Sequence, residues 1–473
     1  MQRRQALQSL GASSRTVGLT TRRSATRLTR RRFLKSAAAS VAALPVLVPG
    51  RALGKDGKVA PSERILLGGI GLGGRGRAVL NGMLVEPDVQ FLAICDINRS
   101  RRELVKNQVD AKYGNKDCAM ACDIHEFLAE RADLDAVVIA TGDRWHALAA
   151  TLAMRAGKDV YCEKPSSMTI AEGRMVVDAA RRYGRVYQSG TQGLSMPNRA
   201  FGIELARSGR LGKLHTAYAQ IAPWDDAMMR HDWLPAEPEP PQDELNWDAW
   251  LGPCPWRPYN SAYVRGQWRG HYDFHTSCIG EWGAHTIIQV QAGIGSPNTS
   301  AIAYEYVDNP FGDGLVARYA NGVKLILARQ HESWVGVSGQ RFDGDDGWIA
   351  NSGGEHDQTR GSSPALLAEV DRVLQSYTVR AQRPLNHARD FFDCIKSRRL
   401  TVANPEAMHA AMTTVHAANI CMWLKRDLKY NPAKEEFLND SEANRLRSRA
   451  MRGPWVASMG TSPNPSGPKR CYG

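Results

Sequence analysis

The first 54 residues contain no aspartate or glutamate, yet they hold eleven lysines and arginines, from Arg3 to Arg51. Without those eleven, 50 basic residues face 48 acidic ones, a net of +2 out of the formal +13. A nearly neutral body is a poor electrostatic match to a polyanion, so no nucleic-acid partner is expected. The chain also lacks an unbroken apolar run of the roughly 20 residues that a membrane-spanning helix needs, so no permanent anchor is expected. It lacks a cysteine framework: nine cysteines, an odd number, follow no repeated spacing. Cys118 and Cys122, four apart, share one helical face on this reading. No His or Cys cluster beside them completes a metal site, so buried free thiols and no metal are the expectation. Low-complexity blocks and internal repeats are absent too, leaving the composition of a soluble globular protein.

What is present begins with an address. Residues 29–35 read TRRRFLK, and the short run AAASVAALPVLV follows. A basic flank, a short apolar core and small residues after it make a signal peptide. The heptad matches the twin-arginine export consensus at each defined position, which implies the twin-arginine translocase as a partner and a periplasmic or otherwise exported protein. Cleavage is expected near Ala52-Leu53-Gly54, and the long stretch before Arg30 points to a later translation start. At 473 residues two domains are expected. The divisions read from the sequence are a leader over 1–54, a first domain over 62–189, a second over 190–455 and a flexible tail over 456–473.

The first domain alternates strands and helices. Residues 64–70 form a short apolar strand that runs into Gly71-Leu72-Gly73-Gly74-Arg75-Gly76, a G-x-G-x-x-G in its required context. Gly71 permits the turn, Gly73 lets the pyrophosphate approach the backbone, and Gly76 lets the helix from Arg77 to Met83 pack close. A second strand over 89–95 ends in Asp96, twenty residues past Gly76, where a carboxylate can accept from a ribose diol and repel a 2′-phosphate. Arg99, Arg101 and Arg102 follow, so NAD is expected and NADP stays open. Further strands over 135–141, 159–162 and 185–189 alternate with helices over 147–156 and 171–183. This is the pattern of an α/β doubly wound parallel sheet, a Rossmann domain. Gly71, Asp96, Thr141 and Lys164 all fall at carboxyl ends of its strands, where ligands of such sheets bind.

GxGxxG, then ATGDRWH, Glu163-Lys164-Pro165 and GTQ at 190–192 together resemble the Gfo/Idh/MocA oxidoreductase family. NWDAWLGPCPWRPYN, EWGAHTI, HARDFFDCIKSRR and EANRLRSR extend the resemblance to about Trp455. The resemblance implies a Rossmann domain followed by an α+β domain whose largely antiparallel open sheet covers the nicotinamide and supports a homo-oligomer, a dimer or tetramer. It implies that Lys164 contacts a substrate hydroxyl beside the nicotinamide, with Glu163 and the Gln192 of GTQ nearby. The family often carries proline at Gly142 and histidine at Arg144, so here Trp145 and His146 are expected to shape the cofactor pocket. Its second-domain motif is commonly Asp with His four residues later, and here Glu281 holds the Asp position before His285. Spacing of i, i+4 puts both on one helix face, which makes His285 the expected proton acceptor and Glu281 its orienting carboxylate. Removing a hydride from a sugar alcohol requires such a base on the hydroxyl.

Trp224, Trp233, Trp247, Trp250, Trp256, Tyr259 and Trp268 offer flat apolar faces for sugar C–H groups, or loop packing. Residues 226–258, rich in proline and acid, read as an ordered excursion over the site or a partner subunit. Helices are expected over 387–397 and 405–425, with Met408, Met412 and Met422 filling core. The leading expectation is an exported NAD(P)-dependent oxidoreductase acting on a sugar, polyol or glycoside hydroxyl through a tightly held cofactor. Two alternatives remain: a redox-neutral, NAD-dependent glycosidase working by oxidation and elimination, and a non-catalytic sugar-binding protein.

Overall fold

A computed structural model describes residues 59–222, 230–353 and 358–455. The twin-arginine stretch, its cleavage site, Trp224 and the tail after Trp455 lie outside the described residues.

The alternation read from the sequence becomes β1 (Ile65–Ile70), α1 (Gly74–Met83), β2 (Val89–Cys95), α2 (Arg99–Tyr113), β3 (Ala119–Ala121), α3 (Ile124–Glu130), β4 (Ala136–Ile139), α4 (Asp143–Arg155), β5 (Asp159–Cys162), α5 (Ile170–Tyr183) and β6 (Tyr187–Ser189). The six strands pair in parallel in the order β3-β2-β1-β4-β5-β6. The order reverses between β1 and β4, which opens a crevice at their carboxyl ends. Register fixes what lines it: Ile70 lies beside Cys95 and Ile139, and Ile139 beside Cys162. The residues next in sequence, Gly71, Asp96, Ala140-Thr141 and Glu163-Lys164, therefore emerge along one edge. Asn98, Asp123 and Thr169 start their helices by accepting first-turn N–H groups, and Gly114 and Gly184 end theirs in the left-handed conformation.

Local boundaries differ from the expectation. The first helix begins at Gly74 rather than Arg77, because the second half of the glycine motif is itself helical. The helix expected from Ala147 begins at Asp143, in the middle of the ATGDRWH stretch. Cys118 and Cys122 share no helical face: they flank β3, whose Ala119 pairs with Ala93 of β2, and sheet pairing overrides the four-residue spacing. All eight cysteines among the described residues are free thiols, seven of them buried.

The second domain is built from α6 (Pro197–Arg207), β7 (Leu214–Gln220), α7 (Trp247–Leu251), α8 (Ser277–Gly293) and strands β8 (Ala303–Glu305), β9 (Val316–Arg318), β10 (Lys324–Ala328), β11 (Val337–Gly344), β12 (Gly347–Gly353) and β13 (Thr359–Gly361). It continues through α9 (Val370–Ala381), α10 (His387–Ser397), α11 (Pro405–Leu424), β14 (Leu428–Asn431) and β15 (Glu436–Phe437). Nine strands form one open sheet in the order β13-β12-β11-β7-β10-β9-β8-β14-β15. Its pairs are antiparallel except β7 with β10. One core cluster joins α8 and α11 to the sheet through Ile287, Val290, Leu325 and Phe342, with Met408, Met412 and Met422 among its residues. The chain then returns to the first sheet: α10 sets Phe391 against Tyr161, ring centroids 5.8 Å apart, and Arg389 on Asp88 at 2.7 Å.

In its described residues the proline- and acid-rich excursion carries little regular structure, and with the residues that follow it forms a dense aromatic core. Trp247, Trp250, Tyr259, Tyr263 and Phe274 are buried together, and the Trp247 and Trp250 rings stack 4.7 Å apart. Trp247 and Trp250 are mostly packing, each ring nearly covered, although Trp250 also lines a cleft beside the first sheet; Trp233 and Trp256 remain exposed. Trp268 sets its ring edge-on to His275. No described helix is long and apolar enough to cross a membrane.

Candidate active site

The turn after β1 is shaped for a phosphate-bearing ligand. Gly71 has φ of +69°, and a Cβ there would stand 2.4 Å from the Thr141 methyl, so the turn packs onto the end of β4. Gly76 is as crowded: a Cβ would meet Leu72 at 2.8 Å and Ala140 at 3.0 Å. Gly73 and Gly74 face open space instead, and among the described residues only the Arg101 guanidinium comes within 4 Å of either. Helix α1 begins there with no side-chain cap, so its first N–H groups point at an open ledge.

Asp96 stands at the end of β2. One carboxylate oxygen accepts from the Asn98 N–H at 2.9 Å, and the other is buried without a partner among the described residues. Burial pushes its pKa up against that single backbone bond, so a donor supplied by a ligand hydroxyl would restore the balance. Of the three arginines that left NADP open, Arg99 pairs with Asp243, and Arg102 donates to the main chain of Asp96 and Asp243. Arg101 lines the cleft. The open ledge, the uncapped helix and the orphaned Asp96 oxygen fit a dinucleotide with a free ribose diol.

Beyond β5 the Glu163-Lys164-Pro165 turn is held from several sides. Glu163 is buried, accepts from Arg75 at 3.1 Å and Gln192 at 2.8 Å, and receives the Lys164 N–H at 3.3 Å. Gly190 makes room for that carboxylate, since a Cβ there would stand 2.6 Å from Oε1. Gln192 also donates to the Tyr161 hydroxyl at 2.7 Å, so its amide braces the turn. His146 locks the neighbouring loop: one ring nitrogen lies 2.6 Å from the Pro165 carbonyl, and the other accepts from Gly142 N–H. Burial lowers its pKa, and both nitrogens are occupied, so it holds structure rather than moving protons. Trp145 donates to the Ala249 carbonyl at 2.9 Å, and Arg144 lies 3.6 Å over the Trp250 ring while donating to its carbonyl.

The second domain delivers α8 to this turn. Lys164 Nζ donates to the Glu281 carbonyl at 3.0 Å and to its carboxylate at 3.1 Å. The other Glu281 oxygen accepts from His275 Nε2 at 3.1 Å. Glu281 was expected to orient His285; both its oxygens are engaged by Lys164 and His275 instead, because the start of α8 turns that side chain toward β5. Burial works against the Glu281 charge, but Lys164 and His275 outweigh it and hold its pKa well below the usual value.

His285 shares the helix, and its ring makes no hydrogen bond among the described residues. Burial first, then the charges of Lys164, Arg199 and Arg75, push its pKa well below the ordinary value. It is a neutral imidazole with a lone pair to offer. The sequence reading missed His275, which lies six residues before Glu281 and outside the helical pattern. It missed Asp143 too, whose carboxylate accepts from the Thr276 N–H and hydroxyl at 3.1 and 3.0 Å. Asp143, His275 and Glu281 bring one ligand atom each within 4.8 Å of one another. The Gly270 N–H donates to His275 Nδ1, which leaves the proton on Nε2 facing Glu281. With an N–H and an ammonium turned inward, the cluster serves Lys164 rather than a metal ion.

Residues 65–191 match the oxidoreductase family's NAD-binding Rossmann fold, and residues 214–457 match that family's C-terminal alpha/beta domain. An alpha-N-acetylgalactosaminidase of Shewanella oneidensis is 28% identical over 232 residues, 43% of this chain and 48% of its own. A glycosyl hydrolase family 109 protein of a second Shewanella is 32% identical over 174 residues, 32% of this chain and 37% of the relative. The chain thus spans less than half the length of these curated relatives. Among solved structures, the WlbA dehydrogenase of Chromobacterium violaceum, crystallised with NADH and UDP-GlcNAcA, superposes with a TM-score of 0.55 at 14% identity. That match covers 79% of this chain and 98% of the other. The aldose-aldose oxidoreductase of Caulobacter crescentus superposes at 0.53 with 16% identity, over 77% and 99% of the two chains. These likenesses are of fold. With both halves of the architecture matched and the dinucleotide turn built as its chemistry requires, the chain belongs to the Gfo/Idh/MocA family of oxidoreductases and binds NAD.

Proposed function

We propose that this is an exported enzyme that exchanges a hydride between a sugar, polyol or glycoside hydroxyl and a tightly held NAD. One observation carries the reading: a neutral, unbonded His285 imidazole stands in the field of the Lys164 ammonium, beyond the end of β5. A dinucleotide with its ribose on Asp96 and its phosphates on the β1 turn extends along the strand ends toward that point. When bound, NAD supplies a hydride acceptor. The chain supplies the rest. His285 accepts the hydroxyl proton. Lys164, anchored by Glu281, donates to the substrate oxygen and steadies the negative charge that grows as the proton leaves. His275 holds Glu281, and through it Lys164, in place.

The test is a single turnover. Purified full-length protein mixed with a panel of sugars and polyols should change its absorbance near 340 nm with at least one of them. No change with any would overturn the reading. A second reading has its own support, because the relatives matched over part of the chain are named as glycosidases. Hydride removal, loss of the aglycone, addition of water to the resulting double bond and hydride return would release the free sugar and leave the nucleotide unchanged at the end. Release of nitrophenol from a nitrophenyl α-N-acetylgalactosaminide, with no lasting 340 nm change, would select this cycle; an intact glycoside would reject it.

A further inference from the structure

A cleft of about 620 Å³ of empty space opens beside the dinucleotide turn. Its floor is the first sheet's edge, with Gly71, Asp96, Ile97 and Ile124. Its far wall comes from elsewhere: Trp250 from the aromatic excursion, and Trp455 from the end of the described chain. Among the described residues, two buried polar atoms on its lining residues have no partner, the second Asp96 oxygen and the Trp455 indole N–H. One is an acceptor and the other a donor. Orphaned buried groups of this kind are rare, and each costs stability until a partner arrives. Adenosine offers partners for both, hydroxyls on its ribose and acceptor nitrogens on its base.

The far wall is fastened. The Arg452 guanidinium pairs with the Asp248 carboxylate and donates to the carbonyls of Asp248, Gly252 and Cys254 at 3.0 to 3.2 Å. Trp455 meets the Trp145 ring edge-on at 5.2 Å and stacks over His125 at 6.0 Å. We infer that Trp455, clamped by Arg452, closes an adenine subsite over Asp96 and sets how slowly the nucleotide leaves. A Rossmann domain alone leaves that end of its ligand facing water; here the second half of the chain covers it with an apolar ring carrying a donor. This inference rests on NAD binding by the fold, and it stands apart from whether the reaction regenerates the cofactor in place.

The test separates the two halves of the ligand. Dissociation constants for NAD, AMP and nicotinamide mononucleotide are measured on full-length wild type, Trp455→Ala, Trp455→Phe and Arg452→Ala, each checked by circular dichroism. Aromatic contact with a base is typically worth a factor of ten or more. Trp455→Ala should therefore raise the Kd of NAD and AMP about tenfold or more and speed NAD release, leaving the mononucleotide within twofold. Trp455→Phe keeps the wall and removes the donor, so it should weaken NAD and AMP by a smaller factor and serves where the alanine variant does not fold. Arg452→Ala should weaken NAD without touching the subsite directly. NAD and AMP affinities within twofold of wild type in both Trp455 variants would overturn the inference, as would equal weakening of all three ligands. Wild type that purifies free of nucleotide would count against the tightly held cofactor proposed above, while these affinities would still decide the subsite.

Discussion

Changing Glu281 to glutamine should expose how much Lys164 depends on it. The substitution keeps an oxygen for His275 and removes the charge that lies 3.1 Å from Lys164 Nζ. Both side chains are 13% exposed, so water screens little of the interaction. At an effective dielectric constant near 20, opposite charges at that separation attract by about 5 kcal/mol. Desolvation offsets part of this, and breaking a buried pair from one side typically costs about 3–5 kcal/mol because a lone charge stays behind. Urea unfolding at pH 7 should show that loss for Glu281→Gln with an unchanged m-value. Lys164→Met alone should also destabilise, since it orphans the carboxylate. The double variant removes both charges and should recover about 2 kcal/mol or more relative to the sum of the two singles. Additivity within about 0.5 kcal/mol would refute the pairing. Single-turnover hydride transfer should be lost in all three variants, because none can present an anchored ammonium to the substrate oxygen.

Gly190→Ala should cost about 3 kcal/mol or more in urea unfolding, since its Cβ falls 2.6 Å from a buried carboxylate that Arg75 and Gln192 hold and that has nowhere to swing; a loss under about 1 kcal/mol would show that the turn gives way. Acid should weaken the fold through His416, whose pKa burial and the neighbouring His409 push down to about 3 from an ordinary 6.5. Below pH 6.5 the unfolded chain takes up a proton that the native one refuses, so stability present above that pH is lost as pH falls toward 3. The share lost by pH 4.5 is about 3 kcal/mol, and a His416→Asn variant should show a flatter fall in melting temperature between pH 7 and 4.5; an unchanged slope would contradict it. Replacing Arg30 and Arg31 together by lysine should retain the protein in the cytoplasm with its nucleotide bound, and continued appearance outside would remove the twin-arginine reading.

The proposed export and the bound cofactor meet in one physical requirement. The twin-arginine route carries folded proteins, so the dinucleotide site can be filled where NAD is made. For a protein exported as proposed, with little free NAD outside, a slow-leaving nucleotide and a reaction that returns its hydride in place become complementary demands. The wall formed by Trp250 and Trp455 bears on the first, and the choice between a second substrate and a redox-neutral cycle bears on the second.

The Rossmann half was legible because its signals are local. An apolar strand, a glycine turn and an acid at the next strand end occupy about thirty consecutive residues, and parallel register then forces Gly71, Asp96, Thr141 and Lys164 onto one edge. Helical spacing likewise placed Glu281 and His285 on one helix. It could not say what Glu281 touches, because Lys164 lies 117 residues away in sequence and only the docking of α8 onto β5 joins them. His275 carried no periodic signal at all; its role comes from a bend that turns its ring back onto the helix that follows. Trp455 could be read only as the last residue before a polar tail, and Trp250 only as one of several candidate sugar faces. The sequence by itself determined the fold class, the cofactor turn and the roster of charged groups. Tertiary structure decided which charge answers which, since a hydrogen bond depends on a few ångströms of space, and the packing of distant segments sets that distance.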